Sequence, residues 1–163
     1  MLSLGLTGRG KQKRGKKLTA KEYLNRVRRQ NYVVKQAERE LTAVRADILT
    51  LESASLSEKV SGTRESDLSD KYIKLEKYFD TVISEWNKLI DMRVKAKAMI
   101  ALLPDETQQA VLYARYINCM EWEQVAADMH YSWKQVFRIH GRALNSFSRI
   151  HANFLLRRRD DME

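Results

Sequence analysis

Residues Val125–Gly141 read VAADMHYSWKQVFRIHG. Apolar side chains at Val125, Ala126 and Met129 recur at helical spacing, and a second set follows at Val136, Ile139 and Ala143. Between them lie Met129-His130-Tyr131 and then Ser132, a favoured helix N-cap. The rhythm is helix, tight turn, helix. Such units often carry glycine at the turn; here His130 occupies it, a residue that tolerates left-handed backbone better than most. Three readings compete: a DNA-reading unit, ordinary helical core, or a metal site using histidines.

The metal reading fails on spacing. His130, His140 and His151 are ten and eleven residues apart, and no short-spaced ligand pair accompanies them. The single cysteine, Cys119, excludes an internal disulfide and a zinc cluster, and reads as a small buried apolar residue. No Ser-His-Asp or paired-carboxylate constellation is legible, so no enzyme and no cofactor is expected.

The rest of the chain is written for helices. It has one proline and six glycines in 163 residues, which leaves few places for hairpin turns. The expected class is all-α. Thr19 and Glu22 form a capping box that opens a helix. A heptad stripe follows through Tyr23, Val27, Val34, Ala37, Leu41, Val44, Ile48 and Leu51, interrupted at Gln30. After a polar stretch at about 53–69, a second stripe runs Tyr72, Leu75, Phe79, Val82, Trp86, Leu89, Ala96, Ile100 and Leu103, interrupted at Arg93. Ile83, Ile90 and Val94 widen it. These aromatics read as core, and two such helices form a long, coiled-coil-like antiparallel hairpin or pair with a second copy.

Expected organisation is therefore a disordered basic tail at 1–17, a two-helix arm at 18–102, a helix-turn-helix domain at 103–157 and a short tail at 158–163. Pro104 ends the second long helix, and Asp105 or Thr107 caps the next. Another helix covers Gln109–Ile117, and the one opened by Ser132 runs to about Arg157.

Net charge is +9, from 30 Lys/Arg against 21 Asp/Glu. Six of those positive charges lie in residues 1–17, a segment that suits a flexible arm along DNA phosphates, a solubilising tail, or a reading-frame extension ahead of the domain. The arm is nearly balanced, with sixteen basic and thirteen acidic residues between 18 and 102. Residues 103–132 hold five acids and one base, whereas 133–159 hold seven bases and no acid. Solvated helices usually mix signs; an unmixed basic helix after a tight turn suits the phosphate backbone. No apolar run approaches the ~20 residues of a membrane span, and the start has too short an apolar part for a secretory signal. Cytoplasmic location in a bacterial host is expected.

The stretch LPDETQQAVLYARYINCMEWEQVAADMHYSWKQVFRIHGRAL resembles the C-terminal promoter-binding domain of bacterial sigma factors. The matching elements are Leu103-Pro104, Ala110-Val111-Leu112 with Arg115-Tyr116, Trp122-Glu123-Gln124-Val125-Ala126, Ser132, Val136 and Arg142-Ala143-Leu144. Residues 19–150, with the LTAKEYLNR opening at 18–26 and the HGRAL ending at 140–144, are similar to phage and prophage proteins related to ArpU- and RinA-type late transcription activators. The other sigma-factor domains are not among these residues, so the resemblance implies an activator that borrows the domain.

The resemblance places recognition positions at Trp133, Lys134, Phe137 and Arg138. Lys134 and Arg138 carry donors suited to guanine, and Gln135 suits adenine if it turns toward the groove. Ser132 and Arg142 suit phosphate, with His140 nearby. Trp133 and Phe137 either touch thymine methyls or, the favoured reading, pack on the preceding helix. Val125, Ala126, Met129, Tyr131, Val136, Ile139, Ala143 and Phe147 are expected to face inward. The leading expectation is a homodimeric activator of phage late or packaging genes that binds double-stranded DNA and contacts RNA polymerase. The alternatives are a small-terminase-like packaging protein and a helical adaptor that binds RNA polymerase.

Overall fold

Thr19 and Glu22 open the first helix as expected. The Thr19 hydroxyl accepts from the Glu22 amide (3.1 Å), and the Glu22 carboxylate accepts from the Thr19 amide (2.9 Å). From this cap α1 runs Ala20–Ser57, and α2, Thr63–Ile100, packs beside it as an antiparallel hairpin. The computed structural model describes residues 18–57 and 63–157. The expected tails at 1–17 and 158–163, and the centre of the expected loop, lie outside the described residues. Helix extends further into that loop than its Ser- and Asp-rich composition suggested, to Ser57 and from Thr63. Once a helix is nucleated, each added residue contributes a hydrogen bond, so weak helix formers still propagate it. Each long helix has 38 residues, a length of about 57 Å at the usual rise.

The first stripe is the buried face of α1: Tyr23, Val27, Val34, Ala37, Leu41, Val44 and Ile48 are all at or below 9% exposure. Its polar interruption has a partner, since Gln30 donates to the Glu85 carboxylate (2.6 Å) and carbonyl (3.1 Å). A row of cross-helix bonds then sets the register. Asn31 accepts from Arg93 (3.0 Å), Glu38 accepts from the Trp86 indole (3.0 Å), and Glu52 accepts from the Tyr72 hydroxyl (2.5 Å). From 31 to 38 the partner steps back from 93 to 86, and from 38 to 52 it steps back from 86 to 72. Each heptad on α1 is matched by one heptad on α2, and any slip breaks all three bonds together.

The second stripe divides. Val82, Leu89, Ala96, Ile100 and Leu103 are buried as expected, but Tyr72, Phe79, Ile83, Trp86, Ile90 and Val94 are exposed. The apolar face of α2 is wider than a single neighbouring helix covers, and α1 takes only one side of it.

Beyond α2 the chain turns through Ala101–Asp105. Asp105 caps α3 (Glu106–Leu112), its carboxylate accepting from the amides of Thr107 and Gln108. The expected single helix to Ile117 instead becomes a π-helical turn at Tyr113–Ile117. Helix α4 spans Trp122–Asp128 and α5 spans Trp133–Ile150. Where one unbroken helix to Arg157 was expected, the chain kinks at His151 before α6, Ala152–Arg157. There the His151 ring donates to the Met99 carbonyl (2.9 Å) and lies on Phe147 (4.5 Å between centroids). The anchored ring sits at the break between α5 and α6, and Leu155 beyond it is buried in the main core.

The main core crosses between arm and head. It joins Tyr23, Leu24 and Val27 of α1 and Leu89, Ala96 and Ile100 of α2 to Leu112, Tyr116, Ala143, Phe147 and Leu155. Leu24 is fully buried in it, so Leu24→Ala should cost about 2–5 kcal/mol. In a Trp86→Phe background, unfolding followed by circular dichroism and by Trp122/Trp133 fluorescence should remain one shared transition. An arm that melts separately from the head would contradict the shared core.

Candidate nucleic-acid interface

Helix α4, its turn and α5 form the helix-turn-helix, sealed by Val125, Ala126 and Val136 with Trp122, Met129, Met120 and Ala114 around them. His130 has φ 54°, the left-handed conformation expected of it. Around it the Tyr131 amide bonds the Ala126 carbonyl (3.1 Å) and the His130 amide bonds the Ala127 carbonyl (3.2 Å). Those two bonds make a Schellman stop. Helix α5 then opens on a capping box: Ser132 receives the Gln135 amide (3.4 Å), and the Gln135 carboxamide oxygen accepts from the Ser132 amide and hydroxyl (2.9 and 2.8 Å). Stop and start lie so close that the angle between the two helices is set locally.

Burial sorts α5 cleanly. Val136, Ile139, His140, Ala143 and Phe147 face inward, while Lys134, Arg138, Gly141, Arg142, Asn145 and Arg149 lie on the outward face. Among the described residues no carboxylate forms an ion pair with Lys134, Arg138, Arg142 or Arg149. Asp105 lines the same cleft as Arg138 and Arg142; hydrogen bonds from Gln108 and Thr107, with the charge of Arg142, hold its carboxyl below the usual range. Gly141 sits in the middle of this face, and a Cβ built there would meet nothing within 4 Å. Nothing inside the protein requires glycine at that point.

Several sequence-predicted residues take other places. His140 was expected near phosphate but is buried, because it shares the inward arc of α5 with Val136 and Ala143. It shares a 2.9 Å hydrogen bond with the Tyr116 hydroxyl and meets the Trp122 ring edge-on at 4.8 Å. Burial, with the nearby charges of Lys21 and Arg115, pushes its pKa down to about 4, and burial pushes Tyr116 up to about 12. Both are neutral at pH 7, so His140 offers no charge to an anion. Tyr131, expected inward, is 37% exposed beside Asp105, Gln135 and Arg142. Gln135 has its carboxamide oxygen committed to the cap, so bidentate pairing with adenine would require the cap to open. Phe137 packs on Trp122 (4.8 Å) and Trp133 on Phe137 (5.7 Å), yet both remain more than 40% exposed. They brace α4 against α5 and still present an edge outward.

The three histidines go to three different places: an exposed turn, the core, and the α5–α6 kink. Among the described residues no group of three His, Cys, Asp or Glu converges as a metal site.

One cluster went unnoticed in the sequence. Arg28 of α1 donates to the carbonyls of Arg115 and Met120 (3.0 Å each) and to the Glu121 carboxylate (2.8 Å). Arg115 donates to Met120 and Glu121 (2.7 and 3.0 Å) and stacks over Trp122 at 4.4 Å. The carbonyls are available because the π-turn and a second left-handed residue, Cys119 (φ 58°), release them from helical bonding. Arg28 follows Val27 in an ordinary heptad, and nothing in the sequence pairs it with residues about ninety positions away.

Residues 50–148 match the family described as Protein of unknown function (DUF1492). The chain belongs to this family. No curated protein and no solved structure matches it. The DUF1492 match runs from the distal end of α1 through nearly all of α5, so α2 and the α4–turn–α5 unit fall within one match, while α1 up to residue 49 precedes it. Among the described residues no helix is long and apolar enough to cross a membrane.

The His140 pair yields a signed pH dependence. Its folded pKa, about 4, lies below the unfolded value near 6.5, so the unfolded chain binds the proton first. Stability is full above about pH 6.5 and falls as pH drops toward 4. Melting temperature should drop by several degrees between pH 7 and 4.5, and His140→Gln should flatten that drop. Equal slopes in wild type and variant would contradict the assignment.

Proposed function

We propose that this protein is a sequence-preferring regulator that binds double-stranded DNA, with α5 as its recognition helix. The observation that carries this reading is the outward face of α5, where Lys134, Arg138, Arg142 and Arg149 stand without carboxylate partners among the described residues, behind a locally fixed turn. Such a face favours phosphate by counterion release, and its N-terminal turns suit base edges. Lys134 and Arg138, with exposed edges of Trp133 and Phe137, form the reading end. Arg142 and Arg149 follow the backbone, and Ser132 and Gln135 hold the helix start. Gly141 lets a sugar-phosphate strand approach the helix closely. The resemblance to phage late activators makes late or packaging genes the proposed targets, RNA polymerase a partner, and a homodimer the working form.

Fluorescence anisotropy with promoter-containing duplexes at several salt concentrations tests this reading. Affinity should fall steeply with salt. Arg138→Ala should cost roughly 1–3 kcal/mol and relax sequence preference, while Arg142→Ala should weaken all duplexes alike and lower the salt slope by about one. Gly141→Ala should raise stability by about 0.5–1 kcal/mol, since glycine is costly inside a helix, yet weaken binding. Salt-independent binding, or affinity indifferent to Arg138, would overturn the proposal.

A further inference from the structure

The exposed stripe on α2 is long, continuous and regular. Tyr72, Phe79, Ile83, Trp86, Ile90 and Val94 recur at heptad-like steps of seven, four, three, four and four, each between 37% and 62% exposed. The polar tips of its aromatics are already satisfied inside the hairpin, Trp86 by Glu38 and Tyr72 by Glu52. The rings therefore present apolar surface without an unmet polar group. Six half-exposed side chains of this size offer roughly 500 Å² of apolar surface. One copy against another would remove about 1,000 Å² in total, the lower bound for a specific interface.

We propose that this stripe is the surface on which two copies pair, α2 against α2, antiparallel about a two-fold axis near Ile83. Side-chain size selects the direction. The N-terminal end carries rings, Tyr72 and Phe79, the C-terminal end carries the smaller Ile90 and Val94, and the ring of Trp86 lies three residues from the central Ile83. Reversed helices set large against small and interdigitate, whereas parallel helices set rings against rings and leave gaps at the other end. A two-fold contact also needs one self-complementary patch, which a stripe graded in this way supplies. The two hairpins together make a four-helix bundle with a head at each end.

The spacing of the heads follows, and this step alone rests on the DNA-binding reading. From Ile83 to Ile100 is seventeen residues, about 26 Å of helix, so the heads lie at least about 50 Å apart. That exceeds one turn of DNA, about 34 Å, and fits half-sites two turns apart, centred about 21 bp from each other.

The test separates the two ideas. Sedimentation of the full chain without DNA should give a dimer of about 38 kDa, twice the 19.1 kDa chain. Ile83→Glu and Val94→Glu should each give monomers of unchanged helicity. Ile83→Cys should cross-link to itself under oxidation. Val94→Cys should not, because its partner lies about 33 Å away in the antiparallel pair. A wild-type monomer at micromolar concentration overturns the proposal and leaves the face to a different partner. So does a dimer that survives both glutamates, or self-linking at position 94. Loss of DNA binding with the dimer intact would count against the DNA reading alone.

Discussion

The guanidinium of Arg28 holds the junction on which the rest of the molecule is mounted. It reaches from α1 to two backbone carbonyls and one carboxylate at the entrance to α4. Arg115 meets the same Met120 carbonyl and the same Glu121 from the other side. Hydrogen bonds to charged groups are stronger than neutral ones, and a bonded carbonyl left without its donor is costly. Because α4 starts at this point, the arm determines where the helix-turn-helix begins. The shared core of Tyr23, Leu24, Phe147 and Leu155 continues the same connection in apolar form.

This junction bears on the working of the head. A recognition helix is useful when its outward face is rigid relative to whatever sets its partner's position. Here α5 is fixed three times: by the left-handed His130 and the Ser132–Gln135 box at its start, by the buried His140–Tyr116 pair midway, and by the His151–Met99 bond at its end. The last of these ties α5 to α2, the helix that carries the exposed stripe.

Much of this was legible in the sequence, for identifiable reasons. The capping box at Thr19, the α1 stripe, the Asp105 cap and the left-handed His130 are local patterns, and local rules decided them. The outward placement of Lys134, Arg138 and Arg142 was legible because charge segregation survives folding. What could not be read was the identity of the covering surface. The α2 stripe looked like one core face, but a heptad pattern does not say how many neighbours bury it. His140 was misplaced because it lies at the edge of the apolar arc, where a single residue step around the helix, to Gly141, passes from core to solvent. The π-turn, and the Arg28 cluster that depends on it, arise from contacts between residues far apart in the chain.

The central claim is that the outward face of α5 takes the nucleic acid while the arm does not. The most direct measurement is an amide chemical-shift titration of the labelled full chain with duplex DNA carrying a preferred site. Perturbations are predicted at Lys134, Arg138, Gly141, Arg142, Asn145 and Arg149, with the α2 amides from 72 to 94 unchanged. Shifts centred on α2, or none on α5 at saturating DNA, would contradict the account.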